Sequence, residues 1–186
     1  MKIILAITGA SGSIYGRMVI ERLIASPQVE RIAMIVSRCG SEVIIHEEEA
    51  MPCGEEKLEV FDGDDMFAPV ASGSACYDAM VVVPCSMGTL ARIAAGVSDS
   101  LICRAADVML KERRKLILVP RETPINTIHL RNMLTLSECG AIILPAMPSF
   151  YSRPKDIEAI CNTVVERIMS QLGVDTERFI WGEKKF

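Results

Sequence analysis

Residues 2–16 read KIILAITGASGSIYG. An apolar run, Ile3 to Ile7, continues without polar alternation and stops at a turn of small residues, Thr8-Gly9-Ala10-Ser11-Gly12. Such a run predicts a strand over 2–8 covered on both faces, as the strands of a parallel sheet are. Beyond the turn, Ile14, Met18, Val19 and Leu23 recur at helical spacing and predict a helix over 13–25. Strand, tight turn and helix make the first half of a βαβ unit, with small residues and a hydroxyl at the mouth of the helix.

The pattern repeats along the chain. Strands are predicted over 31–37, 58–61, 79–84 (AMVVVP), 115–120 (KLILVP) and 141–145. Helices are predicted over 39–49, 86–95, 98–114 and 154–172. Thr123 and Pro124, as N-cap and first-turn proline, predict another helix running to 139. Residues 51–74 carry Pro52, Gly54, Gly63, Pro69 and Gly73 and read as mostly irregular. Strands alternating with helices predict an α/β fold: a three-layer Rossmann-like (flavodoxin-like) parallel sheet with helices on both faces. No repeat or linker interrupts it. Residues 1–186 read as one domain, with 173–186 a C-terminal tail that docks on the body or on a neighbouring subunit.

Composition narrows the function classes. The chain is 50% hydrophobic, enough for a full core. Its net charge of -4 offers no basic excess to neutralise nucleic-acid phosphates. Seven cysteines, at 39, 53, 76, 85, 103, 139 and 161, form no C-x-x-C, and with two histidines they show no zinc spacing. They read as reduced thiols of a cytoplasmic protein. The first apolar run is too short for a signal sequence, and no stretch reaches the ~18 apolar residues of a membrane span.

Ligands of open parallel sheets sit beyond the carboxyl ends of the strands. Five strand ends here are followed by Thr8–Gly12, by Ser37, by Cys85-Ser86-Met87-Gly88-Thr89, by Arg121-Glu122-Thr123 and by Pro148-Ser149-Phe150-Tyr151-Ser152-Arg153. Hydroxyls, glycines and an Arg-Glu pair thus converge on one edge, the composition of an anion-binding pocket. A helix that starts at a glycine turn presents N–H groups and a partial positive charge to an anion. The alternative is a plain βα turn in which Ser11 caps its helix. The turn is not G-x-G-x-x-G, and Ser37 stands where a dinucleotide fold carries its ribose-binding acid. On the predicted helix 98–114, Arg104 and Lys111 lie two turns apart, roughly 10 Å along one face, and either grip phosphates or face solvent. Arg121 is a phosphate ligand and Glu122 an acid/base group, or the two are a salt bridge tying the loop. Glu47, Glu48 and Glu49 read as a solvated run from spacing alone. Cys85 has no histidine near it in sequence and reads as a small buried residue rather than a nucleophile.

Four stretches carry a resemblance: TGASGSIYG (8–16), APVASGS (68–74), the long block from VVVPCSMGT to SFYSRP (81–154) and RFIWGE (178–183). Together they resemble the flavin prenyltransferase family, also described as small subunits of phenolic acid or 3-octaprenyl-4-hydroxybenzoate decarboxylases. The resemblance implies a Rossmann-type flavoprotein assembled as a dodecamer. It implies transfer of a dimethylallyl group from dimethylallyl monophosphate to reduced FMN, closing a ring across N5 and C6 without a metal. The product, prenylated FMN, goes to a UbiD-type partner decarboxylase. By position it implies FMN binding at Gly9, Ala10, Ser11, Gly12, Ser37, Ser86, Met87, Gly88, Thr89 and Arg104. It implies prenyl-phosphate binding at Lys111, Arg121, Tyr151 and Arg167, and catalytic roles for Ser11, Glu47 and Glu122. Cations and a phenol stabilise the leaving phosphate in place of a magnesium ion.

One departure stands out: where some members carry a tryptophan before the AP-ASGS stretch, this chain has Asp65-Met66-Phe67, so Met66 or Phe67 must take its place. The rival readings are an FMN-dependent cysteine decarboxylase, which relies on a catalytic histidine and a PASANT-like segment where this chain has PCSMGT; a non-catalytic flavin carrier; and a decarboxylase in its own right.

Overall fold

The opening apolar run becomes β1 (Lys2–Ile7), an interior strand of a six-stranded, all-parallel sheet in a computed structural model that describes residues 1–175 and Gly182. After it come α1 (Ser13–Ala25), β2 (Arg31–Val36), α2 (Arg38–His46) and β3 (Leu58–Asp62). Two short 3-10 turns, Pro69–Ala71 and Gly73–Ala75, lead to β4 (Ala79–Cys85), α3 (Met87–Ala94) and α4 (Leu101–Lys111). The chain continues through β5 (Lys115–Pro120), α5 (Thr127–Glu138), β6 (Ile142–Ile143) and α6 (Ile157–Leu172). The strand order is β3-β2-β1-β4-β5-β6. Of the doubly wound orders it is the one whose direction of winding reverses between β1 and β4, which opens a crevice there.

The unbroken apolar run in β1 follows from its position between two layers. Ile3, Leu5 and Ile7 enter one core with Val19, Ile20 and Leu23 of α1 and Val165, Ile168 and Leu172 of α6. Ile4 and Ala6 enter the other, with Leu90 of α3, Leu101, Ala105 and Met109 of α4 and Leu136 of α5. Side chains alternating across the strand feed both cores, so every position must be apolar.

Several boundaries differ from the sequence-based expectation because a side chain caps a helix later than proline or periodicity indicates. The helix after β5 starts at Thr127, not at Thr123-Pro124: the Asn126 carboxamide accepts the His129 N–H at 2.9 Å, and the His129 ring accepts from the Asn126 N–H at 3.4 Å. Residues 121–125 are thereby left as loop at the carboxyl end of β5. Asp156, accepting from the Ala159 N–H at 2.7 Å, starts α6 two residues after Pro154. Ser100 starts α4, and the left-handed Arg113 (φ 53°) lies just past its end. β6 is two residues long instead of five. The tail and its RFIWGE stretch lie outside the described residues, apart from 173–175 and Gly182.

Thr8 joins the two strand ends at the crevice. Its N–H and its hydroxyl both donate to the Pro84 carbonyl, at 3.2 and 2.8 Å, and its hydroxyl oxygen accepts from the Ser86 N–H at 2.7 Å. The residue is buried. Thr8→Val keeps the shape and the backbone bond to Pro84 but leaves the Ser86 N–H without its acceptor, a loss of about 1–3 kcal/mol. Urea unfolding is expected to show that loss for Thr8→Val and a smaller one for Thr8→Ser.

Candidate functional site at the strand ends

The β1, β2 and β4 ends each deliver a helix N-terminus to the same edge. Ser37 donates its N–H to the Ile7 carbonyl at 3.0 Å and caps α2 by accepting from the Gly40 N–H at 3.0 Å. Ser86 caps α3 by accepting from the Thr89 N–H at 3.3 Å, and its hydroxyl lies 3.1 Å from that of Thr89. Gly12 precedes α1 at φ 104°, a left-handed conformation that glycine adopts without strain. Gly9 must also be glycine, because a Cβ there would stand 2.5 Å from the Cβ of Cys39 on α2. The small residues of the opening turn thus let α2 close against β1.

The α1 N-terminus is occupied from within the protein. The Glu47 carboxylate, one residue beyond α2, accepts from the Gly12 N–H at 2.9 Å, the Ser13 N–H at 2.8 Å and the Ser13 hydroxyl at 2.5 Å. The Ser11 hydroxyl is a further donor to it. Partial burial pushes its pKa up, but these donors outweigh that and hold the carboxyl below its ordinary value. At neutral pH Glu47 is therefore an anion at the positive end of a helix. The fourfold grip singles out Glu47 from the 47–49 run. The resemblance assigns no role to Ser13 or to Thr8. The available signal was a hydroxyl directly after an apolar strand and another at the first helical position, both of which are buried.

Arg121 reaches back across the sheet: its Nε donates to the Ser11 carbonyl at 3.1 Å, linking the β5 end to the β1 turn. Beside it lies a cleft of about 380 Å³ lined by Met87, Arg121, Glu122, Thr123, Ile125 and Met147, among others. Glu122 is exposed and accepts from the Thr123 N–H at 3.0 Å. A second groove of about 340 Å³ adjoins the first, sharing Pro145 and Met147, and contains Arg167 and Gln171 of α6. Tyr151 is exposed on the segment between β6 and α6, which the Ser149 N–H ties to the Thr163 hydroxyl at 3.0 Å.

Other expected residues lie elsewhere. Arg104 donates from Nε to the Ala71 carbonyl at 3.1 Å and pairs with Asp107 at 2.7 Å, so it anchors the APVASGS segment to α4. Lys111 ends α4, pairs with Glu112 and sits four residues before β5 starts. Arg121 lies beyond the other end of β5, a strand length of about 20 Å away. Within one protomer, Arg104 and Lys111 share a helix, and Lys111 lies at the far end of β5 from Arg121. Phe67 is fully exposed and Met66 partly so. Cys85 is fully buried, and burial pushes its thiol up to about 12, so it is no nucleophile. His129 serves the α5 cap rather than a catalytic pair. Among the described residues, no group of three or more His, Cys, Asp or Glu is placed to hold a metal ion, and no helix is long and apolar enough to cross a membrane.

Known proteins share this sequence pattern and this fold. The family model described as Flavoprotein matches residues 1–169. Flavin prenyltransferase UbiX of Methanocaldococcus jannaschii is 48% identical, over 98% of this chain and 99% of its own. A solved structure of AnUbiX in complex with FMN and dimethylallyl pyrophosphate superposes with TM-score 0.90 at 41% identity, covering 98% of each chain. A dodecameric FMN-dependent UbiX-like decarboxylase from Escherichia coli O157:H7 superposes with TM-score 0.88 at 40% identity, covering 97% of this chain and all of its own. With matches of this identity across nearly its whole length, the chain belongs to the flavin prenyltransferase family.

Proposed function

We propose that this protein joins the dimethylallyl group of dimethylallyl monophosphate to N5 and C6 of reduced FMN, and that the prenylated FMN serves a UbiD-type decarboxylase. The observation that carries this reading is the junction of three strand-end loops by Thr8 and by the Arg121–Ser11 contact, beside one cleft holding Arg121 and Glu122. The donor set fits FMN: the hydroxyls of Ser11, Ser37, Ser86 and Thr89 and the first turns of α2 and α3 suit a phosphate and a ribityl chain. Gly88 opens the first turn of α3, where an added Cβ would meet nothing within 4 Å. The complex of the 41%-identical relative with FMN and dimethylallyl pyrophosphate supports FMN and a phosphorylated dimethylallyl donor.

Reduced FMN supplies the nucleophilic positions N5 and C6. The residues of this chain bind and orient the reactants and handle charge. Arg121 stabilises the departing phosphate; Arg167, in the adjoining groove, and Tyr151, exposed on the segment after β6, are the further groups we assign to it. Stacking the two reactants in one cleft turns a bimolecular encounter into a positioned one. Glu122, exposed at the cleft, moves the proton released on ring closure. Glu47 stays ionised and holds Ser11, Gly12 and Ser13 in place. Lys111 reaches the cleft from a second copy of the chain. Its distance from Arg121 within one protomer supports this, as do the dodecameric relative and the exposed Ile128, Leu130 and Leu134 of α5. A homo-dodecamer is the assembly that accounts for these surfaces, and Arg104 joins the FMN site through the segment it anchors. The seven free thiols suit a cytoplasmic setting.

The direct test is anaerobic incubation with reduced FMN and dimethylallyl monophosphate, followed by mass measurement of the bound flavin. A mass increase of one dimethylallyl unit is expected; bound flavin of unchanged mass indicates a carrier and overturns the reading. In this assay Glu122→Gln is expected to bind both compounds yet form product at least about a hundredfold more slowly. Lys111→Ala and Arg121→Ala, each inactive alone, are expected to regain about a quarter of wild-type activity when co-assembled, because that share of sites then combines two intact partners. Glu47→Gln is expected to lose about 1 kcal/mol of stability at neutral pH, the scale of a lost helix cap. Because folding lowers the Glu47 pKa, its stabilisation is present above the ordinary carboxylate range and disappears as pH falls through the depressed value. Thermal melts of wild type and Glu47→Gln should therefore differ most near neutrality and converge in acid.

A further inference from the structure

The turn that delivers Glu47 is held by a residue with no assigned part in the reaction. α2 ends in a Schellman arrangement: the Glu48 N–H donates to the Ile45 carbonyl at 3.2 Å and the Glu49 N–H to the Ile44 carbonyl at 3.1 Å. The left-handed position of that motif, usually glycine, is Glu48 at φ 57°, a conformation that is unfavourable for a residue with a Cβ. The carboxylates on either side of it are both bound to α1. Glu47 takes the N-terminal donors, and Glu49 accepts from Arg17 Nε at 2.5 Å. Ser13 and Arg17 are one helical turn apart, about 6 Å along α1. That matches the two-residue step from Glu47 to Glu49, at most ~7 Å.

The Arg17–Glu49 pair is the most shielded ion pair among the described residues, with both side chains less than one-fifth exposed. Arg17 also pairs with Glu158 at 2.8 Å, in the first turn of α6, and with Glu21 at 3.1 Å. One guanidinium therefore fastens α1, the Glu47 turn and the start of the helix that follows the Tyr151 segment.

We propose that Arg17 is a positioning residue: by clamping Glu49 it holds the strained turn at Glu48 and so aims the Glu47 carboxylate at the Ser11–Ser13 end of α1. Its catalytic consequence rests on the reading of Glu47 as part of the prenyl-transfer site; the positioning itself does not. An exposed surface pair would contribute little. This pair is sheltered, and its loss releases a turn that is unfavourable by itself.

The test uses the full-length assembled protein with two readouts. In the flavin-free protein, deuterium exchange of the peptide containing Gly12 and Ser13 is expected to quicken roughly tenfold in Arg17→Met and in Glu49→Gln, and no further in the double variant, since neighbours on one network are coupled. Exchange of the β5 peptide is expected to stay unchanged. In the prenyl-transfer assay, kcat is expected to fall by a similar factor in each variant, while KM for dimethylallyl monophosphate moves less than about twofold. Arg17→Lys is expected to recover part of both losses, and Glu21→Gln to match wild type. Should Arg17→Met assemble poorly, Glu49→Gln makes the same measurement from the other side of the pair. Unchanged exchange at Gly12 and Ser13, or an increase equal to that in β5, would overturn the proposal. Local quickening in the variants, combined with a wild type that makes no prenylated flavin, would uphold the positioning and reject the proposed function instead.

Discussion

The structure depends on the way the β1 and β4 ends are fastened where the winding of the sheet reverses. Parallel strands at that point send their helices to opposite faces, and the crevice between them has no shared element to close it. Thr8 supplies the closure with one buried hydroxyl that donates to Pro84 and accepts from Ser86. Arg121 extends the connection to β5 by bonding the Ser11 carbonyl. These contacts join the loops of three strands into one rim that carries the hydroxyls and charges of the site.

The electrostatics of that rim are divided among three helix ends. α1 would be the obvious anion site, but its donors hold Glu47, a carboxylate from the protein itself. Its place is fixed in turn by the Schellman turn and Arg17. The ends of α2 and α3 are capped by the small hydroxyl residues Ser37 and Ser86. The glycine turn therefore admits close packing of α2 and reception of an internal anion.

Much of the architecture was legible in the sequence because parallel strands must be apolar on both faces. β1, β4 and β5 declared themselves that way, and the two cores they feed confirm why no polar residue interrupts them. Helix starts were less legible. Pro124 competes with Asn126 for the start of α5, and the choice depends on a His129 contact that spacing does not reveal. The strand-end loops could be read as a group, since chain order places them on one edge. The separation of Lys111 from Arg121 was legible too, since the strand predicted over 115–120 lies between them. Spacing alone left Glu47 indistinguishable from Glu48 and Glu49; only the resemblance singled it out, and the backbone shows that the Glu47 and Glu49 carboxylates both face α1.

The central claim is that a single cleft at the β1, β4 and β5 ends receives both reactants in contact. A crystal structure of the protein with reduced FMN and dimethylallyl monophosphate measures this most directly. The account predicts the flavin phosphate at the first turns of α2 and α3, with the prenyl group stacked on the flavin ring and its phosphate against Arg121. Ligands bound at separate sites, with the prenyl phosphate remote from Arg121 and Glu122, would contradict it.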